Sequence, residues 1–483
     1  MTTRGIGLGR WLLLPVFGAL IVVNALGDTA QDPVLSRESL AHAESLRDSA
    51  LAGSAALEIV TQLTTEVGPR LAGSESEARA RQWAVNRLSL GGFASIREET
   101  FSLDAWQRHS ERARIISPYP QPLSVAALGG SVSTPEAGLS GPVRVFETLE
   151  ALQRAPVGSL NGYIAYVGHA MQKTQDGSSY GYFNAARTQG ASIAAERGAT
   201  AYLIRSIGTD SHRFPHTGSM RYAEDQPKIP ALALSNPDAD QLERITAMGQ
   251  TPVVELTVSS SVVPGAVSGN VIAEIRGREA PEEIVVIGAH LDSWDLGTGA
   301  VDDGAGVGIT LAAMELIQSA GLAPRRTIRL VLWGSEEVGL FGARAYRDAH
   351  LEELEQHIVG SESDFGGGRI WKVSVLSESE EGDQWFKEMA ALLAPLGIAP
   401  GSDDEPGGGP DMTPLAAAGV PTLRLHQDGR DYFDLHHTAD DTVDKLDGAA
   451  LDQNVAAFAV MAWLAADTTI SLRSRSSTEN RSD

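Results

Sequence analysis

The chain has 483 residues, 42% hydrophobic and 21% charged, a balance that suits a folded globular protein of two or three domains. Its formal charge of -24 argues against a nucleic-acid partner, because neutralising phosphates takes clustered Lys and Arg. It contains no cysteine, which excludes disulfides, zinc–thiolate sites, a Cys nucleophile and a lipid anchor on an N-terminal Cys.

At the N-terminus, Arg4 and Arg10 precede an apolar run, Trp11 to Val23, and Ala25-Leu26-Gly27 is a small-x-small cleavage pattern. Residues 1–27 therefore read as a secretory signal peptide. The run is short against the roughly 20 apolar residues of a membrane span, so no stable membrane insertion is expected after cleavage. An uncleaved anchor is the alternative. Export without disulfides fits a bacterial periplasm or exterior.

Residues 28–117 read as the first part of the main domain. A helix is expected from Pro33 to Leu63, and Gly68 to Ser74 breaks the pattern. A second helix runs from Glu75 to Leu90, and a strand follows over Ser95 to Phe101. Near Pro118 the texture changes to short β-branched segments between Gly and Pro turns, with helices at Ala185 to Arg197 and Asp238 to Met248. Residues 118–264 are therefore expected to form an inserted α+β domain, bounded by Val263-Pro264-Gly265. His212 and His216 lie in one of its polar loops.

From residue 265 to 467 strands and helices alternate. Ile284 to Ala289, Ile328 to Trp333, Ile358, Ile370 to Leu376 and Thr422 to Leu425 read as strands. Near-continuous apolar strands alternating with helices imply an α/β fold with a mostly parallel, mixed sheet covered by helices on both faces. The Ser- and Arg-rich residues 468–483 are expected to be a disordered tail.

Polar clusters sit where these strands end: His290 with Asp292, Asp302 with Asp303, Glu336 with Glu337, and Asp364. His436 and His437 precede the last helix. In an open α/β sheet that edge is where ligands bind. Taken singly, an acid pair is most often a solvated turn and an Asp-Asp-Gly most often a turn or helix cap. Their convergence on one edge favours a metal site, and His plus carboxylate without Cys suits zinc, or manganese or cobalt in its place. A bridging carboxylate can hold two cations about 3.5–4 Å apart, and one of two adjacent acids can stay free to act as a base.

The stretches GAHLDSWDLGTGAVDDGAG, LVLWGSEEVGLFGA, SESD and HHTADDT resemble the signature set of the co-catalytic dizinc exopeptidases. GPRLAGS, LIRS, PHTG and PKIPA extend the resemblance, within that family, to its carboxypeptidase Q-like subgroup over about residues 60–466. The resemblance implies a zinc-exopeptidase fold with a protease-associated-like insertion and two Zn2+ per subunit. It implies His290 and Asp364 on one ion, Glu337 and His437 on the other, Asp302 as the bridge and Glu336 as general base. His437 is chosen over His436 because the family's ligand directly precedes Thr or Ser, here Thr438. Asp292 would orient His290 and Asp441 would orient His437. His436, His216 and Asp411 are candidates for contacts to substrate or oxyanion, with His216 reaching from the insertion or from a dimer mate and Asp411 as a wall of the site. Asp303 is expected to be a structural neighbour or helix cap. The implied activity is that of a secreted or periplasmic homodimer cleaving dipeptides or short peptides as a carboxypeptidase or dipeptidase. An aminopeptidase, a non-catalytic receptor-like ectodomain and a cyclising transferase are the alternatives.

Overall fold

Gly53, at φ 132°, splits the expected first helix into α1 (Arg37–Leu51) and α2 (Ala56–Glu66). The computed structural model describes residues 34–375, 379–401 and 407–473. The expected signal peptide lies outside the described residues, as do 474–483 of the expected tail. The Ser74 hydroxyl accepts from the Glu77 N–H and starts α3 (Glu75–Leu90), as its sequence predicts.

The strand expected to end at Phe101 is much longer. It is β1 (Ala94–Ser117), which leads into the short β2 (Gln121–Leu123) and β3 (Val125–Ala127). Then come β4 (Leu139–Phe146), α4 (Leu149–Gln153), β5 (Ile164–Val167), α5 (Ser178–Glu196), β6 (Ala201–Arg205), β7 (Ala231–Leu234) and α6 (Asn236–Ala247). A second long strand, β8 (Val253–Ile275), pairs antiparallel with β1 along almost its whole length. Val263-Pro264-Gly265, expected as a boundary, lies inside β8, where the register shifts between Leu103 and Ala105. Strand pairing carries the chain through this point, and a local irregularity absorbs the proline.

The second half alternates regularly. It runs β9 (Ala280–His290), α7 (Ala305–Ser319), β10 (Arg326–Trp333), α8 (Phe341–Ala349) and β11 (His357–Glu362). After these come β12 (Ile370–Val375), α9 (Glu380–Leu393), β13 (Ala399–Gly401), α10 (Thr413–Ala417), β14 (Leu423–Gln427), α11 (Tyr432–Leu435) and α12 (Gly448–Asp467).

One mixed sheet orders its strands β11-β9-β10-β8-β4-β5-β6-β7-β3, with β1 and β2 branching from β8. The pairs β9–β10 and β9–β11 are parallel, as are β4–β5, β5–β6 and β6–β7, whereas β8 runs antiparallel to β10, β4 and β1. The Ile370 and Thr422 strands meet this sheet through an isolated parallel bridge between Gly360 of β11 and Thr422. They otherwise form a small sheet of their own, β13-β12-β14.

Side-chain alternation along β9 explains why helices cover both faces. Val285, Ile287 and Ala289 join the core made with α1, α2, α3, α7 and α12, while Ile284 and Val286 join the core made with α8 and α10. Helix α12 is long and apolar enough to cross a membrane, but it is buried in the first of these cores. Strands β5 to β7 are likewise packed on both sides, against α4 and α5 on one and α6 on the other. The α5-side core continues into Val301 of the turn before α7 and into Tyr432 and Phe433 of α11, beside the polar strand ends. Residues 468–473 are held to the body: Arg473 donates to the carbonyls of Leu354 and His357 at 2.7 and 2.6 Å, and Arg326 to that of Ile470 at 2.7 Å. This overturns the expectation of disorder for that part of the tail.

Candidate metal centre

His290 ends β9, Glu336 and Glu337 follow β10, and Asp364 follows β11, so three adjacent parallel strands deliver these groups to their carboxyl ends. Asp302 comes from the turn before α7, and His436 and His437 from the loop after α11.

Asp302 stands at the middle. Its Oδ1 lies 3.1 Å from His290 Nε2, and its Oδ2 lies 3.3 Å from His437 Nε2. Asp364 Oδ1 is 3.7 Å from His290 Nε2, and Glu337 Oε2 is 3.0 Å from His437 Nε2. The two oxygens of one carboxylate thus face two separate clusters. His436 stacks on His437 with ring centroids 3.5 Å apart and puts its Nε2 3.6 Å from Asp302 Oδ2. His437 is the better placed of the two, because its Nε2 faces both Glu337 and Asp302.

The backbone here is held tightly. Ser335 and His437 sit at φ 61° and 62°, a costly region for non-glycine residues that persists only where the surroundings enforce it. Arg70, fully buried, donates to the carbonyls of Leu291, Gly68, Thr298 and Gly299, which locks the loop between β9 and Asp302. In the sequence Arg70 stands out only as part of the GPRLAGS stretch. Its targets are carbonyls, which leave no residue-type signal.

The orienting groups differ from expectation in two cases. His290 Nδ1 is 2.9 Å from the backbone carbonyl of Asp292 but 3.6 Å from its carboxylate. That carboxylate instead accepts from the N–H groups of Glu336 and Glu337 at 3.0 and 3.4 Å, tying the β10 end to the β9 end. Asp441 does not touch His437. Its carboxylate accepts from the N–H groups of Val301 and Asp302 at 2.6 and 3.3 Å, and the Nδ1 of His437 faces the Thr217 carbonyl at 3.2 Å. Asp303 is a structural acceptor, taking the N–H groups of His290 and Gly306 at 3.1 and 3.0 Å.

His216 is buried away from the chemistry. Its Nδ1 lies 2.6 Å from the His436 carbonyl and its Nε2 2.7 Å from Asp210, so it props the backbone of the histidine pair. Asp411 is fully buried beside Glu362, whose carboxylate accepts the Asp411 N–H at 2.8 Å. The cavity wall there is made by Pro410 and Thr413, so Asp411 is not a wall residue. His212 is exposed, and its Nδ1 stands 3.9 Å from Asp440.

Asp302, Glu336, Glu337, Asp364, His436 and His437 line one cavity of about 1300 Å³. Its opposite wall comes from α5 and the segment 219–223, including Tyr180, Arg187 and Arg221, which the sequence reading did not single out. Burial and the neighbouring Asp364 and Asp292 carboxylates push Glu336 well above the usual carboxylate range. Burial, then His436 and Arg187, hold His437 well below the usual imidazole range, so its nitrogen lone pair is available. Burial works against protonation of His290, but Asp292, Asp302 and Asp364 outweigh it and raise that imidazole.

Histidines and carboxylates gathered at the carboxyl edge of a mixed α/β sheet define a metal-dependent hydrolase. Residues 270–462 match peptidase family M28. Human carboxypeptidase Q is 34% identical over 410 residues, covering 85% of each chain. A solved structure, a peptidase M28 precursor from Shewanella amazonensis, has 46% identity and a TM-score of 0.89, covering 90% of this chain and 98% of its own. A zinc aminopeptidase from Bacillus subtilis shares the fold, with a TM-score of 0.60 at 20% identity over 86% of this chain and 98% of its own. The chain belongs to peptidase family M28 and is a zinc metallopeptidase.

The residues present fit zinc. Asp302 Oδ2 and Glu337 Oε1 are buried without a hydrogen-bond partner, the state of a ligand atom kept for a cation. The donor atoms of His290, Asp302 and Asp364 lie within 4.8 Å of one another, as do those of Asp302, His436 and His437. An N and O donor set without sulfur is compatible with that metal.

Proposed function

We propose that this chain is an exported dizinc exopeptidase that hydrolyses dipeptides or short peptides. The carrying observation is the divided carboxylate of Asp302, with Oδ1 towards His290 and Oδ2 towards His437. On this reading His290 and Asp364 would hold one zinc, Glu337 and His437 the other, and Asp302 both. Zinc, when bound, supplies Lewis acidity to the scissile carbonyl and to the attacking water.

The rest is the work of side chains. Glu336 takes the proton of the attacking water and passes it to the leaving amine. Its burial among carboxylates raises its proton affinity, which suits a group that accepts a proton and later returns it. The Asp292 carboxylate fixes the turn that separates Glu336 from Glu337, so that one acid is free while its neighbour is engaged. Thr217 holds the tautomer of His437 with Nδ1 protonated, leaving Nε2 towards Glu337 and Asp302.

Residues 118–264 serve as a protease-associated-like module that walls the cavity, a reading supported by Tyr180, Arg187 and Arg221 in its lining. The Trp11 to Val23 run supports secretion or a periplasmic location. The family resemblance supports a homodimer and a carboxypeptidase or dipeptidase activity. The test is zinc-loaded protein with simple dipeptides, compared with Glu336→Gln. The variant is expected to keep its zinc, measured by elemental analysis, and to lose about 10²–10⁴-fold in turnover. Substantial turnover by the variant sinks the base assignment, and inactivity of the zinc-loaded parent on every dipeptide sinks the peptidase reading.

A further inference from the structure

We propose that His216 and Asp210 are positioning residues for one of the two metal positions only. Through the His436 carbonyl they set the backbone of His437, so the position formed by Glu337 and His437 exists only while the segment between β6 and β7 is docked. The proposal rests on the ligand assignment above and adds that the two positions are built by different parts of the chain and can be separated.

The need for a clamp follows from the backbone of His437. Its φ of 62° lies in the left-handed region, which a non-glycine residue keeps only where its surroundings impose it. Two peptide planes flank that residue, and each is pinned from the segment between β6 and β7. The His436 carbonyl, in the plane before His437, can only accept, and His216 Nδ1 donates to it at 2.6 Å. The His437 carbonyl, in the plane after it, accepts from the Thr217 N–H at 3.1 Å. Fixing both planes fixes φ and ψ between them. The Thr217 carbonyl then takes the ring, 3.2 Å from its Nδ1. Backbone and ring of His437 are thus set by two neighbouring residues. Thr209 extends the grip upstream, with its N–H on the Phe433 carbonyl at 3.0 Å and its hydroxyl on the Asp434 carboxylate at 2.7 Å.

His216 is itself braced. Its Nε2 stands 2.7 Å from Asp210 Oδ1, which also accepts from Asn236 Nδ2 at 3.1 Å, at the start of α6. Its N–H donates to the Ser206 hydroxyl at 2.8 Å, and that hydroxyl donates to the Leu234 carbonyl at the end of β7 at 2.6 Å. A Cβ at Gly208 would collide with the imidazole, so the ring is held against bare backbone. The side chains of His216 and Asp210 are each 1% exposed, and neither lines the cavity. The pair therefore reaches the chemistry only through the carbonyl it holds.

The other position needs none of this. His290 ends β9 and Asp364 follows β11, and these strands pair directly. Asp303 takes the His290 N–H, the Asp292 carbonyl faces its ring, and the Ser363 N–H donates to the Gly288 carbonyl at 2.9 Å. All of these partners belong to the β9–β11 sheet and its adjoining loops.

The experiment titrates metal-free protein with Zn2+ by calorimetry, for the parent, His216→Leu and His216→Asn. Both variants lose the Asp210 contact, but only asparagine keeps a side-chain N–H where Nδ1 stands. The parent is expected to bind two ions. His216→Leu should bind one with parental affinity and the other about 10–100-fold more weakly, the cost of losing a group that orients a metal ligand. His216→Asn should recover most of that loss. Added to Glu337→Gln, in which the same ion is already weakened, His216→Leu should change little; added to Asp364→Asn it should show its full effect. Asp210→Ala should weaken the same ion, and it carries the test if His216→Leu does not fold. Equal weakening of both ions by His216→Leu, as a merely structural role predicts, overturns the inference. So does a variant that binds both ions as the parent does, or a His216→Asn no better than His216→Leu. A parent that binds fewer than two ions removes the dizinc reading and the inference together. A parent that binds two ions and cleaves no dipeptide removes the peptidase reading alone, and the zinc titrations still decide the inference.

Discussion

Asp302 and Asp303 are neighbours with different work, and the difference can be measured. Asp302 offers one oxygen to each histidine cluster, so Asp302→Asn should lower the zinc content of the whole centre. Asp303 accepts two backbone N–H groups, so Asp303→Asn turns an amide donor towards donors it cannot satisfy. That variant should keep its zinc and lose about 1–3 kcal/mol of stability in denaturant unfolding. Zinc retained by Asp302→Asn would refute the division of labour. At this scale the sequence was informative where chemistry depends on residue type. His290, Asp302, Glu336, Glu337 and Asp364 were expected at strand ends and His437 in the loop before the last helix, and in the fold these side chains stand close together. It was uninformative where the partner is backbone. The Asp292 carbonyl at His290 and the Thr217 carbonyl at His437 do tasks that the sequence reading gave to the carboxylates of Asp292 and Asp441.

At the level of elements, the start of α7 depends on the absence of a side chain. A Cβ at Gly306 would collide with the Ser363 carbonyl and with the Asp303 carboxylate that accepts its N–H. Gly306→Ala should therefore cost about 1–3 kcal/mol, read as a lower melting temperature, and an unchanged melt would show that the β11 end yields freely. The start of β11 carries a titratable group. His357 is fully buried between the Tyr346 hydroxyl at 2.8 Å and the Glu353 carbonyl at 2.9 Å, and burial pushes its pKa down to about 4. The folded chain therefore holds fewer protons on His357 than the unfolded chain between the ordinary value of 6.5 and about 4. Its stabilising contribution is complete above that window and is lost as pH falls through it. Melting temperature should fall more steeply from pH 7 to pH 4 for the parent than for His357→Gln, and parallel curves would refute the assignment. Helix α3 was legible from its Ser74 cap and the glycines on either side, and β9 and β10 from their near-continuous apolar runs. The lengths of β1 and β8 were not, because a strand that continues through Pro264 is held by its partner and not by its own residue preferences.

For the molecule as a whole, the centre joins β9, β10 and β11, the turn before α7 and the loop before α12, so zinc should stabilise the entire fold. Removing it with a chelator should lower the melting temperature, and restoring zinc at about 100 times its Kd should return about 2.7 kcal/mol. A melt indifferent to both treatments would exclude the metal centre. The sequence alone determined the class of fold, the donor types and the edge on which they gather. Strand periodicity and residue chemistry are local properties, written into neighbouring positions. Only the tertiary structure decided which oxygen of Asp302 faces which histidine, that Asp411 and His216 lie behind the site, and that α5 brings an unpaired Arg187 to the cavity. Those facts depend on packing between segments far apart in the chain: Arg187 and His437 stand 250 residues apart and meet at 3.4 Å.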